Sequence, residues 1–226
     1  MTDLRFDDPL TGGGQAPANV HGTFHTPGKI VCIGRNYREH AKELGNEVPS
    51  EPLFFLKPST SIIRDGDAIV LPPQSERVEY EGEIAIVIGS RLKNASESDA
   101  IAAVGGIVAL NDVTARDLQK KDSQWTRAKG FDTFCPVGEV VEGARDLDNL
   151  VVITRVNGEE RQRASTSEMV FSIPMLLSYV SHVMTLEPGD LVATGTPAGV
   201  GPLKPGDVVE VEIEGLSRVS NRVVSA

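Results

Sequence analysis

The sequence predicts a β-rich α+β fold with a few short helices, on three observations. Short runs of apolar and β-branched residues recur along the chain, as in Ile30–Gly34, Ala68–Leu71 and Val208–Ile213, and such runs suit half- or fully buried strands. A Gly-Asp turn precedes a strand three times, at Gly66-Asp67, Gly189-Asp190 and Gly206-Asp207, and glycine in such a turn accepts φ > 0. Alternating βαβ units are absent, which argues against a doubly wound parallel sheet.

Residues 1–28 lack apolar periodicity and contain Gly12-Gly13-Gly14, so they read as an N-terminal arm or lead-in, with one compact domain over 29–226,. Ile30–Gly34 is a buried strand closed by a glycine. Residues 35–44 read as a loop running into a short helix that Gly45 stops,. Pro49 and Pro52 hold the next segment extended into an apolar strand over 53–56, which ends at Lys57-Pro58,. The stretch 79–89 carries Glu79, Glu81 and Glu83 ahead of an apolar run with Ile84, Ile86 and Ile88. Alternation along a strand puts the three glutamates on one face and the isoleucines on the other.

Residues 98–103 suit a short helix and 104–110 a buried, glycine-containing strand. Val151–Val156 and residues 159–163 flank Asn157-Gly158, a pair that fits a type I′ hairpin turn,. The clearest helix starts near Ser172, with Pro174 in its first turn,. Ile173, Leu176, Leu177, Val180 and Met184 give it one apolar face, and His182 points away from that stripe,.

The formal net charge of the 226 residues is -10, which argues against nucleic acid and anionic membrane surfaces as partners. No apolar run reaches the length of a membrane span, and the N-terminus has no apolar signal region,. Cys32 and Cys135 form no CxxC motif and read as free thiols, so a cytoplasmic protein is expected,. The GxSxG, Walker A and HExxH patterns are missing, so the candidate ligands are carboxylates, which favour Mg²⁺, Mn²⁺ or Ca²⁺.

Three like charges on one strand face repel. Glu81 and Glu83 stand roughly 6–7 Å apart at the backbone, and Asp112 sits where the apolar strand before it stops. The three could converge on one cation, although a solvated acidic face with an ordinary Asn-Asp turn is the commoner source of such a pattern. His40 and Glu43 are i, i+3 neighbours on the short helix,, either a general-base pair or an exposed helix face. Lys129 lies among glycine and aromatic residues, either an oxyanion-stabilising group or a surface lysine at a loop start,. Arg35, Arg116 and Gln119 are further polar candidates, and the loop 194–201 could capture an anion or simply turn the chain.

From Lys29 onward the chain resembles the fumarylacetoacetate hydrolase family, in particular its small single-domain branch of acylpyruvate hydrolases and oxaloacetate decarboxylases. The resemblance rests on Gly34-Arg35-Asn36-Tyr37 with His40, Phe55-Leu56-Lys57-Pro58, Glu81-Gly82-Glu83, the run from Asp112 to Gln119, Lys129-Gly130-Phe131-Asp132 and Thr194-Gly195-Thr196-Pro197. It implies a mixed β-sandwich roll, a homodimer, and Mg²⁺ or Mn²⁺ held by Glu81, Glu83 and Asp112. It also implies that His40 and Glu43 activate water on a lid helix, that Lys129 assists at the reacting carbonyl, and that Arg35, Tyr37, Gln119 and Thr196 position the substrate. Glu79 is then expected to be exposed at the entrance of its strand. The expected activity is hydrolytic C–C cleavage of 2,4-dioxo acids such as acetylpyruvate or fumarylpyruvate. The alternatives are decarboxylation or tautomerisation of oxaloacetate, isomerisation or decarboxylation of aromatic-degradation dicarboxylates, and a non-catalytic metal- or ligand-binding β-domain.

Overall fold

The computed structural model describes residues 26–226 except 44, 46, 144 and 145, so all but the last three residues of the predicted arm, and the expected helix end at Leu44, lie outside the described residues. In chain order the elements are β1 (Ile30–Gly34), α1 (Arg38–Glu43), β2 (Leu53–Lys57), β3 (Ile62–Ile63), β4 (Ala68–Leu71), β5 (Val78–Tyr80), β6 (Gly82–Ile88), α2 (Glu97–Ala102) and β7 (Val104–Asn111). They continue with β8 (Thr114–Ala115), α3 (Arg116–Lys121), α4 (Thr126–Lys129), β9 (Cys135–Pro136), β10 (Val141–Glu142), β11 (Val151–Val156) and β12 (Glu159–Ser165). The last are α5 (Ile173–Val183), β13 (Leu191–Ala193), β14 (Gly201–Pro202), β15 (Val208–Ile213) and β16 (Ser217–Ser225).

Two large mixed sheets form the body of this α+β fold. One has the order β10-β7-β6-β13-β1-β2 and the other β12-β11-β15-β16-β4. Ile84, Ile86 and Ile88 of β6 and Val31 and Ile33 of β1 meet Val152, Val211, Ile213 and Val219 of the second sheet, with Leu176, Leu177 and Val180 of α5 in the same core. The opposite face of the first sheet is also covered, with Cys32, Ala85, Val108 and Leu110 packed against Cys135 and Val137. Burial on both faces is why β1 and β6 read as unbroken apolar runs rather than alternating ones. Both cysteines are free and buried. Among the described residues no helix is long and apolar enough to cross a membrane.

Local chemistry accounts for the turns. Gly66, Gly189 and Gly206 all have positive φ. In each turn the following aspartate donates its N–H to the carbonyl three residues back, at Arg64, Glu187 and Lys204. The same aspartate accepts that residue's N–H on its carboxylate, at 2.8 Å in all three. The Gly-Asp repeat is therefore one turn used three times, with glycine supplying φ > 0 and aspartate closing a second ring. Asn157 and Gly158 both take positive φ, at 54° and 80°, as a type I′ hairpin requires. Ser172 caps α5 by accepting the N–H of Met175, Pro174 lies in the first turn, and His182 is exposed.

Three features depart from the sequence reading. The stretch 79–89 is two strands rather than one, interrupted at Glu81. Instead of continuing a strand ladder, the Glu81 N–H donates to Asn111 Oδ1 at 2.9 Å and the Gly82 N–H to Gln162 Oε1 at 3.0 Å. β5 then leaves the large sheet to pair with β8 and β14. Helices α3 and α4 have no counterpart in the expected element list; each is six residues or fewer, too short for a helical hydrophobic period to show. The longest strand, β16, was also missed because serine, asparagine and arginine interleave its buried Val219 and Val223.

Gly82 separates the two glutamates where the sheets meet. A Cβ there would lie 1.9 Å from Thr154 Oγ1 of β11, so no side chain fits unless the buried Thr154 side chain shifts. Gly82→Ala is expected to lower stability by about 1–3 kcal/mol, the usual cost of overpacking a tight interior, measured as a lower urea midpoint at unchanged m. An unchanged midpoint would show that the Thr154 side chain gives way without cost.

Candidate active site

The antiparallel register of β6 and β7 builds the acidic cluster. Gly82 faces Asn111 and Glu83 faces Leu110, and the Asp112 N–H donates to the Glu81 carbonyl at 2.8 Å. Glu81 and Asp112 are thus cross-strand neighbours just beyond the sheet's end, with Glu83 one pleat inside. One carboxylate oxygen from each of the three lies within 4.8 Å of the others, and all three residues are buried. The solvated-face alternative is excluded by that burial.

Buried carboxylates need partners. Lys57 Nζ donates to Asp112 Oδ1 at 2.7 Å. Lys129 Nζ bridges Glu81 Oε2 at 2.7 Å and Asp112 Oδ2 at 2.6 Å. Arg116 donates from Nη2 to Glu81, from Nη1 to Gln119, and from Nε to Glu79 Oε2 at 2.6 Å. Lys129 is not a surface lysine: it is 1% exposed, at the end of α4, with its ammonium 5.0 Å from the centre of the Phe55 ring. Burial alone would lower its pKa, but Asp112 and Glu81 outweigh burial and push it up to about 12. Burial raises the Glu81 carboxyl, yet Lys129 and Arg116 hold it well below the ordinary carboxylate range.

Glu83 is different. Its hydrogen-bond donor is the backbone N–H of Gly195, at 2.8 Å, and it has no ion pair among the described residues. Burial, then the charges of Asp112 and Glu81, raise its carboxyl well above the usual range. This cluster is short of positive charge at Glu83, which is the condition a bound cation relieves. Oxygens already accepting from lysine or arginine retain further lone pairs, so the residues present fit a divalent cation on Glu81, Glu83 and Asp112.

A cavity of about 550 Å³ opens onto these carboxylates, and Arg35, His40, Glu43, Gln119, Lys129 and Thr196 line it. His40 is 4% exposed. Its Nδ1 lies 3.3 Å from Glu43 Oε2, and Glu43 in turn accepts the Gly199 N–H at 3.1 and 3.2 Å, tying α1 to the loop before β14. Burial lowers the His40 pKa below its ordinary value of 6.5, against the opposing pull of Glu81 and Glu43. Burial thus favours the neutral ring, the form that can accept a proton. Thr196 donates its hydroxyl to the Gly82 carbonyl at 3.0 Å and accepts from Gln162 Nε2 at 2.8 Å.

The structure thus gathers nine of the ten expected site residues around one cavity and leaves out Tyr37. Tyr37 is buried and bridged through its backbone to Met169; it does not line the cavity, although its phenol, which has no hydrogen-bond partner among the described residues, feels the charge of Glu83. The expected exposure of Glu79 is also wrong. Glu79 is 1% exposed, held between Arg77 Nε at 2.6 Å and Arg116 Nε at 2.6 Å, because β5 turns it inward against α3. Lys57 was given no role in the sequence, since lysine is rarely buried. The available signal was its place at the end of an apolar strand, two residues from Phe55 and on the same face.

A family model described as fumarylacetoacetate (FAA) hydrolase C-terminal matches residues 29–224. The chain is 45% identical over 210 residues to the oxaloacetate tautomerase FAHD1, mitochondrial, of Arabidopsis thaliana, covering 90% of this chain and 94% of that protein. It is 44% identical over 200 residues to the oxaloacetate decarboxylase, mitochondrial, of Dictyostelium discoideum, covering 85% and 92%. Among solved structures it is similar to a 5-carboxymethyl-2-hydroxymuconate delta-isomerase from Mycobacterium smegmatis, with a TM-score of 0.83 and 44% identity over 89% of this chain and 80% of that one.

Because Glu83 carries the unpartnered charge, Glu83→Gln is expected to raise the melting temperature of protein held in EDTA by a few degrees, on the order of 1 kcal/mol. The same change is expected to abolish the stabilisation that Mg²⁺ or Mn²⁺ gives the wild type, read by calorimetry with and without metal. A variant that gains as much from metal as the wild type does would remove Glu83 from the ligand set.

Proposed function

The chain belongs to the fumarylacetoacetate hydrolase family, and from that membership we propose that it is a divalent-metal enzyme of 2-oxo acids. We assign it keto–enol tautomerisation and decarboxylation of oxaloacetate as its principal reactions. The observation that carries this reading is the buried His40 lining the cavity that Glu81, Glu83 and Asp112 also line, together with relatives named for oxaloacetate chemistry. A cation on Glu81, Glu83 and Asp112 would act as a Lewis acid that anchors the 2-oxo acid head and offsets enolate charge.

The chain's own groups supply the remaining work. In tautomerisation, His40 takes the proton from C3 while Glu43 orients the ring and stabilises the imidazolium that forms. In decarboxylation, the C3–C4 bond breaks, its electrons pass to the 2-oxo oxygen, carbon dioxide leaves, and protonation of C3 yields pyruvate. Lys129 adds positive charge beside the developing enolate. Gln119, Arg35 and Thr196 orient the substrate. His40 is a buried residue of α1, so this helix, acting as a lid, would exclude bulk water from the reacting carbon. The protein works as a homodimer in this reading.

A second reading is favoured by one specific feature, the His40–Glu43 pair at 3.3 Å. The same base can deprotonate water for attack on the distal carbonyl of an acylpyruvate, releasing a carboxylate and the pyruvate enolate. The two readings differ in how much they need the base. A panel of oxaloacetate, acetylpyruvate and fumarylpyruvate with Mg²⁺ and Mn²⁺ separates them by comparing kcat/KM.

His40→Asn is expected to lower tautomerisation and any acylpyruvate hydrolysis by roughly 10²–10⁴-fold, the usual contribution of a positioned base, and decarboxylation by less. Wild-type activity should fall with decreasing pH only through a pKa below 6.5, where His40 becomes protonated, and that acid limb should vanish in the variant. An acid limb that survives the substitution would assign the titrating base to another group.

A further inference from the structure

The wall of the cavity away from the carboxylates carries positive charge that none of the chemistry above uses. β5 and β8 pair with Val78 opposite Ala115, and the Arg116 N–H donates to the Arg77 carbonyl at 2.7 Å. This register places Arg77 directly across from Arg116, at the start of α3. Lys120 follows Arg116 by four residues in that helix, so it stacks one turn along the same face. Arg77 and Lys120 both line the cavity.

Their bonding separates them from the inner cations. Arg116 is saturated by Glu79, Glu81 and Gln119. Arg77 uses only Nε, on Glu79 Oε1 at 2.6 Å; its side chain is 57% exposed and the two terminal amino groups make no hydrogen bond among the described residues. Lys120 is exposed and has no ion pair among the described residues. Glu79 fixes the guanidinium of Arg77 by its inner edge and leaves the bidentate terminal edge facing open cavity, an arrangement suited to a carboxylate. Glu43 is the one other cavity-lining acid outside the inner cluster, and the Gly199 N–H already engages it. In a chain of net charge -10, an unpaired lysine beside an arginine whose terminal amino groups have no partner among the described residues marks a place on the cavity wall for an anion,.

We propose that Arg77 and Lys120 form a subsite for a second carboxylate, at the far end of a 2-oxo acid whose head lies on the acidic cluster. This rests on the reading of the cavity as a 2-oxo acid site. Arg77 stands three hydrogen bonds from Glu81, through Glu79 and Arg116. The subsite therefore selects dicarboxylic 2-oxo acids over monoacids of equal length.

Trp125 is the sole tryptophan and lines the cavity, so ligand binding can be followed by its fluorescence. The full-length protein in Mg²⁺ would be titrated with 2-oxoadipate and with 2-oxohexanoate, acids of equal length that differ in a terminal carboxylate against a methyl group. The wild type is expected to bind the diacid about tenfold more tightly, as a charge-assisted hydrogen bond to a partly exposed carboxylate allows. Arg77→Ala with Lys120→Ala should erase that ratio, Lys120→Ala alone should reduce it about threefold, and Arg77→Lys with Lys120→Arg should keep most of it. Equal affinity of the wild type for both acids, or an undiminished ratio in the double alanine variant, overturns the subsite while the 2-oxo acid reading stands. Failure of both acids to bind the wild type overturns both readings.

Discussion

Burying four carboxylates in one place is the constraint on which the rest of this structure depends. Glu79, Glu81, Glu83 and Asp112 are each at most 4% exposed, and each would cost several kcal/mol to desolvate alone. Their solution is a lattice of charge-assisted bonds from Lys57, Arg116 and Lys129 that reaches into three separate elements. α3 and α4, too short to be stable by themselves, exist to deliver Arg116 and Lys129 to that lattice. The small sheet of β14, β5 and β8 turns Glu79 inward to meet Arg116. Only Glu83 is left without a cation of its own, and the protein's chemistry is expected to gather at that imbalance.

What was legible in the sequence follows from where information is local. The Gly-Asp turns, the Asn157-Gly158 hairpin and α5 are specified by a few adjacent residues whose backbone preferences have one good solution, and they could be read directly. The apolar runs of β1 and β6 identified buried strands because both faces of their sheet are covered. The pleat put Glu81 and Glu83 together, but nothing local forces the chain to break at Glu81. That break is made by Asn111 and Gln162, which are distant in sequence and capture two backbone N–H groups. Glu79 was misplaced for the same reason: Arg116, which holds it inward, lies 37 residues further on and meets it only after β5 pairs with β8.

Site residues divide along the same line. His40 and Glu43 are neighbours on one helix, so spacing alone suggested a pair. Lys57 was passed over because its burial depends on Asp112, which lies 55 residues further on. Tyr37 entered through family resemblance and is buried without lining the cavity, since motif membership does not say how far a side chain reaches into a site.

Gln162 belongs to β12, in the sheet that contributes no lining residue to the cavity. Its amide nevertheless accepts the Gly82 N–H and donates to Thr196 and to the Pro197 carbonyl. A single side chain thus sets the spacing between the strand that carries the acidic cluster and the loop that faces it. Variation in the second sheet can retune the width of the reaction chamber while every chemically active group stays the same, which gives this scaffold a route to new substrates that leaves its chemistry untouched.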